Sequence, residues 1–439
     1  MTSATTPAVN GSTATASSSI PGTIRRFGGG GPRRIAESAG VVITHGEGAW
    51  LVDQQGRRYL DFATAMGVAA IGHGHPRFAE SLACQARKLA ACVLHTPEQA
   101  RYLSALAAVL PGGVDRVALY SGGAEAVEVA VRLAQSYTDR RHLISFTDGF
   151  HGKTLGLRFT GNRFAEEHER LGPGWVHHVP YPYCSAHDAA CFTTCRGDGA
   201  DSLAALDELA SSLDGVAAVI VEPVMGTAGN RPPQRRFLAG LRELCTRKGW
   251  LLIADESITG FGRLGTTFAC DYFGVVPDIL VLGKAMGGGF PLSGVAAPGW
   301  LWDASLFSAP SATSSSYGAN PLACVAGLAV LDIVGREGFL ENATAVARLL
   351  ALGLREIEQR SPFVKRTRGV GMMLGFDFVD PSTGTPAGPE LCLRLFRACL
   401  EQGLLLVGDV PGVRLNPPLI LTELEAERAL EALDAAVCR

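Results

Sequence analysis

The stretch from Trp250 to Pro291, WLLIADESITGFGRLGTTFACDYFGVVPDILVLGKAMGGGFP, narrows most what this chain can fold into. Two runs of 4 apolar residues, 251–254 and 279–282, each lead to a charged residue, Asp255 and Lys284, and then to a polar or glycine-rich loop. Short apolar runs bounded in this way read as strands buried on both faces, the kind that build parallel sheets. In open α/β sheets, ligands collect in the crevice beyond the carboxyl ends of such strands. A carboxylate and an amine therefore face one crevice.

An Asp–Lys pair has a plain reading, a buried ion pair or two unrelated loop residues. It also has a chemical one. A lysine amine can condense with a carbonyl, and a buried carboxylate can keep a nearby ring nitrogen protonated. Those are the needs of pyridoxal phosphate, whose ring withdraws electrons only while its nitrogen carries a proton. The segments ADESITGFGRLG (254–265) and LGKAMGGGFPLSG (282–294) resemble the aspartate and lysine motifs of the class III pyridoxal-phosphate aminotransferases. Further matches spread from about residue 45 to residue 418.

At 439 residues and 47% hydrophobic content the chain can bury a large core and form more than one domain. A net charge of −3 supplies no basic field for nucleic acid or an anionic membrane. No run of 18 apolar residues offers a membrane span. The first 20 residues, mostly Ser, Thr and Ala, lack the charge and apolar core of a secretion signal and read as a disordered tail. Eleven scattered cysteines suit a reducing cytoplasm. The chain has five lysines against thirty-four arginines, and only Lys284 follows a buried strand and precedes a glycine-rich turn. Lys88 and Lys248 fall in helical patterns, Lys365 in a charged run, and Lys153 beside another candidate motif.

Taken in order, residues 41–62 alternate around the turn Asp53-Gln54-Gln55-Gly56 and read as a β-meander. His73 and His75 follow, with no ligand type beside them to complete a metal site; the resemblance places this loop near the active-site entrance. Residues 97–110 have helical spacing. A short strand then enters Ser121-Gly122-Gly123-Ala124 and a helix opens at once, so that backbone N–H groups and the helix N-terminus can converge on one anion. The resemblance assigns phosphate binding to Gly122, Gly123 and Ala124. It likewise implies that Phe150, of Phe150-His151-Gly152, covers one face of the cofactor ring while Ser257 lies against the other. Cys184, His187, Cys191 and Cys195 could hold a metal, but their spacing lacks the tight pairs of structural sites; the family often carries cysteines there in a surface excursion. The strand 216–223 brings Glu222 to the crevice.

What the resemblance implies is specific. The fold is α/β, a large domain with a mostly parallel sheet flanked by helices plus a smaller α+β domain from the two chain ends. The expected segments are a tail over 1–20, an N-terminal part over 21–80, the cofactor domain over 81–330 and the small domain over 331–439. Lys284 attaches pyridoxal phosphate and then moves a proton, Asp255 keeps the ring nitrogen protonated, and Ser316 completes the phosphate site of a neighbouring copy, which implies a homodimer. Arg414 binds the carboxylate of an amino-acid donor. Two departures bear on substrate. Family members that use α-amino acids often have a glutamate at Thr227 to mask that arginine, and Thr227 cannot serve as an anion. Ile258 removes an amide that would reach the cofactor's phenolic oxygen, and Ser257 puts a hydroxyl where the wall is apolar. Amino transfer from glutamate or alanine to an aldehyde or ketone follows, with an oxidised amino sugar of aminoglycoside-type antibiotic biosynthesis as the favoured acceptor. Aminomutase, epimerase and decarboxylase outcomes on the same scaffold stay open, as does ordinary ω-amino-acid transamination.

Overall fold

The computed structural model describes residues 20–27, 34–157, 172, 174–183, 197–303 and 306–438. The N-terminal meander is β1 (Ile43–Glu47), β2 (Trp50–Asp53) and β3 (Arg58–Asp61). Seven strands follow in chain order: β4 (Arg116–Tyr120), β5 (His142–Phe146), β6 (Val176–Val179), β7 (Val216–Val221), β8 (Leu251–Asp255), β9 (Ile279–Leu282) and β10 (Ser293–Ala297). The C-terminal part adds β11 (Val364–Val370), β12 (Met373–Phe378), β13 (Leu404–Leu405) and β14 (Gly412–Leu415).

The seven middle strands form one sheet in the order β4-β10-β9-β8-β7-β5-β6. Only β10 runs against its neighbours, β4 and β9; β9, β8, β7, β5 and β6 pair in parallel. Every residue of β7, β8 and β9 is buried. Alternate side chains feed two cores, as the period of 2 in a strand requires. Ile220 and Ile253 pack with Val127 and Ala130 of the helix Gly123–Thr138. Val219 and Leu252 pack on the other face with Leu241 and Leu244 of the helix Phe237–Lys248. The apolar runs are continuous because both faces are covered.

The two chain ends meet. β13 joins β3 in parallel, Leu404 opposite Leu60, so the meander and the C-terminal chain share one sheet. β11, β12 and β14 form a third, antiparallel sheet. The last helix, Glu423–Val437, opens on a capping box, with Thr422 accepting from Glu425 N and Glu425 accepting from Thr422 N. The helix Pro76–Ala86 stops short of the apolar pattern that runs on past Lys88, because the Gln85 amide donates to Leu89 O at 2.9 Å and closes the turn. Residues 1–19 and Cys184, His187, Cys191 and Cys195 lie outside the described residues. Among the described residues no group of three or more His, Cys, Asp or Glu could hold a metal, and no helix is long and apolar enough to cross a membrane.

Helix Pro321–Val334 approaches helix Pro97–Ala107 so closely that a Cβ at Gly327 would enter the Tyr102 ring, which is fully buried. Gly327→Ala is expected to destabilise the protein by about 1–3 kcal/mol, because overpacking forces the ring or the helix to move. A denaturant midpoint measured beside Gly327→Ala/Tyr102→Phe checks this, since Phe keeps the ring and the loss persists.

Candidate active site

Adjacent parallel strands β7, β8 and β9 end side by side, and each delivers one ionisable residue at or just beyond its end: Glu222, Asp255 and Lys284. Lys284 opens a tight turn over Lys284–Gly287 and has a φ of 44°, a conformation L residues seldom take. Burial pushes its ammonium below the ordinary lysine value, with Arg414 and Arg263 adding to the fall and Asp255 and Glu222 opposing it. An amine held this way is easier to find neutral.

Asp255 is buried, and both of its oxygens are engaged. Oδ2 meets His151 Nδ1 at 2.8 Å, and Oδ1 accepts from Ser257 N at 3.0 Å and Ser257 Oγ at 2.6 Å. Burial alone would raise this carboxyl, but the His151 hydrogen bond, the charges of His151 and Lys284, and the Ser257 hydroxyl together hold it below its ordinary value of 3.8. Glu222 differs. It accepts from Phe150 N at 2.9 Å and Gly226 N at 3.0 Å, and burial, reinforced by Asp255, raises it. Two neighbouring carboxylates are thus pushed in opposite directions.

The glycine turn sits against these groups. Gly122 caps the 16-residue helix Gly123–Thr138 without a side-chain cap, and Ser293 Oγ donates to Gly122 O at 2.9 Å. A Cβ at Gly123 would lie 3.7 Å from Ser257 Oγ, and one at Gly283 3.5 Å from the same atom. Gly152, at φ 143°, packs where a Cβ would come within 2.9 Å of Ala124 Cβ, so the Phe150-His151-Gly152 loop presses on the start of that helix. Phe150 is half-buried. Ser316 is exposed, on the loop whose Gly318 approaches Leu119 O near the end of β4.

Arg414 lies on β14, opposite Gly375 of β12, which is opposite Arg368 of β11. The turn that carries Thr227 docks on this sheet: Asn230 Nδ2 donates to Leu374 O at 2.7 Å and Asn416 Oδ1 at 2.9 Å, and Arg368 Nε donates to Gly229 O at 2.8 Å. Thr227, half-buried, therefore shares this corner with Arg414.

The sequence reading missed a second turn at that corner. Thr64, Ala65, Met66 and Gly67 all have positive φ, at 43°, 50°, 68° and 90°. For L residues this handedness costs about 1–2 kcal/mol each. Contacts hold it in place. Asp61 Oδ1 accepts from Ala63 N at 3.0 Å and Thr64 N at 2.8 Å, and Thr64 Oγ1 donates to Asn416 O at 2.6 Å. His73, whose neighbours in sequence offered no carboxylate, meets Asp61 Oδ2 at 2.9 Å, a contact that holds the loop in place. A Cβ at Gly67 would meet Ile258 Cγ1 at 3.1 Å and Lys284 Cδ at 4.0 Å, so the turn lies beside the lysine. The lone glycine of Thr-Ala-Met-Gly was the only local signal.

The family model described as Aminotransferase class-III matches residues 33–437. The chain belongs to this family. It is 34% identical over 407 residues to a probable 4-aminobutyrate aminotransferase of Bacillus subtilis, covering 90% of this chain and 92% of that one. It is 35% identical to an acetylornithine aminotransferase of Gloeobacter violaceus, covering 91% and 94%. In structure it is similar to a PLP-bound amine transaminase from an uncultivated Pseudomonas species, with a TM-score of 0.84, 30% identity and coverage of 94% and 98%. This class III aminotransferase is a pyridoxal-phosphate enzyme of the α/β architecture read from the sequence. Its own residues suit that cofactor: a buried amine, a paired carboxylate at the next strand end and a helix start capped by glycine.

Removing the ring that holds Asp255 tests the pair. Because Asp255 lies below 3.8, the stability it contributes is present above that value and lost as pH falls through its lower folded value. In His151→Phe burial dominates and the carboxyl moves up. The variant is expected to lose about 1–3 kcal/mol near neutral pH. Denaturant midpoints across pH should show the gap to wild type closing toward acid, where Asp255 is protonated in both proteins.

Proposed function

We propose that this class III aminotransferase moves an amino group from an amino-acid donor, glutamate or alanine, to an aldehyde or ketone on a polar partner without a carboxylate. The observation that carries this reading is the corner of Thr227 and Arg414: the turn docked on the arginine's sheet brings a hydroxyl, not an anion, at the position where family members that mask the arginine carry glutamate. An oxidised amino sugar, rich in hydroxyls that accept from a guanidinium, is the favoured acceptor. The relatives' names favour a second reading, ordinary ω-amino-acid transamination.

Pyridoxal phosphate, when bound, supplies a protonated ring that stabilises negative charge on a substrate carbon losing its proton. Lys284 would attach it, Asp255 would pair with its ring nitrogen, and the amides of Gly122, Gly123 and Ala124 would take its phosphate. Phe150 and Ser257 would flank the ring, with Ile258 beside them. Freed from attachment, the Lys284 amine takes the proton from the donor's α-carbon and later returns one to the acceptor's carbon, a task suited to a lysine whose burial favours the neutral form. His151 keeps Asp255 ionised and in place. Glu222 fixes Phe150 N and Gly226 N, and so orients both loops. Arg414 binds the donor's carboxylate through a bidentate pair. Ser316 would serve the phosphate of a second copy in a homodimer; its exposure, with Tyr317 beside it 71% exposed, fits a surface covered by another chain. Eleven scattered cysteines suit work in the cytoplasm.

A stopped-flow survey of the cofactor absorbance decides the substrate class. Amino sugars are expected to discharge the visible band at least as readily as ornithine or 4-aminobutyrate; reaction with the latter two alone would establish the ω-amino-acid reading. Borohydride reduction should fix the cofactor to wild type and not to Lys284→Ala. Mixing inactive Lys284→Ala with Ser316→Trp should restore some activity through heterodimers. No recovery despite proven subunit exchange rules out a shared site.

A further inference from the structure

The strained turn at residues 64–67 does more than close a loop. Its conformation is imposed by Asp61, Asn416 and the Thr64 hydroxyl, and imposed strain of this kind concentrates at functional sites. What the turn presents is Met66, whose Sδ accepts from Arg414 Nη2 at 3.5 Å. The next residue, Gly67, packs against Ile258 and the Lys284 side chain. Met66 thus touches the arginine to which the donor's carboxylate is assigned, one residue before the glycine that lies beside the reacting amine.

We propose that Met66 is a positioning residue for substrate choice: its thioether sulfur receives the Arg414 guanidinium when the bound partner has no carboxylate and releases it when a carboxylate arrives. The inference rests on the role of Arg414 as the donor's carboxylate site. The relative strengths of the interactions support it. A guanidinium is always charged but weakly hydrated, so it tolerates a soft neighbour. A thioether is only a weak acceptor. A substrate carboxylate makes two charge-assisted bonds, each roughly twice as strong as a neutral one, and wins the competition. A glutamate would hold the arginine more tightly and resist the donor, whereas a purely apolar side chain would remove the acceptor that Met66 offers Nη2 while a neutral partner is bound. Methionine lies between these, and its unbranched chain can follow the guanidinium.

The test compares single-turnover rates with the faster of L-alanine and L-glutamate against n-butylamine, which lacks a carboxylate. Leucine keeps the volume of methionine and removes the acceptor. Met66→Leu is expected to lower the ratio of butylamine to amino-acid kcat/KM by about threefold to tenfold, the worth of one modest hydrogen bond. Met66→Gln, which restores an acceptor, should bring the ratio back. In an Arg414→Met background the Met66→Leu change should leave the ratio where Arg414→Met alone puts it, because the two residues act as one unit. Equal losses with both substrates, or a ratio that shifts as much without Arg414 as with it, would overturn the proposal and mark Met66 as packing. If Arg414→Met reacts with the amino acid as well as wild type does, the reading of Arg414 fails and this proposal fails with it. A normal Arg414 effect with a ratio indifferent to Met66 sinks this proposal alone.

Discussion

The contact between His151 Nδ1 and Asp255 Oδ2, with side chains 1% and 5% exposed, is the interaction on which the site depends. A carboxylate this deep is tolerated only with charged or hydrogen-bonded company. The histidine supplies a hydrogen bond, and it comes from the loop after β5, while Asp255 ends β8. Because β7 separates those strands in the sheet, Glu222 at its end is drawn into the same network and shares the Phe150 amide beside the histidine. The pair therefore fixes three strand ends relative to one another. It also divides the charges: Asp255 is held ionised, Glu222 is pushed toward protonation and Lys284 toward neutrality. Separate environments for like groups are what lets one site hold an ion and move a proton.

A second set of contacts joins the sheet to the C-terminal chain. Asn416 is its hub. It accepts from Asn230 through its side chain and from Thr64 through its carbonyl, and its N–H donates to Phe62 O at 2.9 Å. Two segments far apart in sequence, 62–64 and 226–230, are thereby held beside Arg414. Arg368, buried with its guanidinium on Gly229 O and Asp377 Oδ1, reinforces one of them. A recognition group placed by several buried polar bonds keeps its geometry better than one on a free loop.

How much of this could be read in advance follows from the range of the forces involved. β8 and β9 were legible because strands buried on both faces leave an unbroken apolar signature, and Asp255 and Lys284 were legible because a charge at the end of such a run is costly to bury unless something there uses it. The capping box at Thr422 was legible because its partners are three residues apart. The insertion of β10 against the grain between β4 and β9 was not, since pairing order leaves no local trace. Nor was the left-handed turn at Thr64–Gly67, whose own propensities oppose it and whose support arrives from Asn416, 352 residues away by the Thr64 bond. Ser257 shows the same limit. The resemblance set it against the ring, while its hydroxyl is bonded to Asp255, a geometry that only the turn after β8 reveals.

That last contact changes the meaning of the two departures in the aspartate motif. Ser257 exchanges an apolar wall for a donor that helps to hold Asp255 ionised. Ile258, beside it, packs with Val224, Leu264 and Ala269, and has glycine on two sides: a Cβ at Gly67 or at Gly226 would come within 3.1 Å of its side chain. Gly67 belongs to the turn that presents Met66, and Gly226 opens the turn that carries Thr227. Ile258 thus fills the space where a side chain on either glycine would lie, so its bulk bears on how near both turns can approach the sheet. Position 258 need not touch a substrate to influence its choice, because both turns beside Arg414 lie against its side chain.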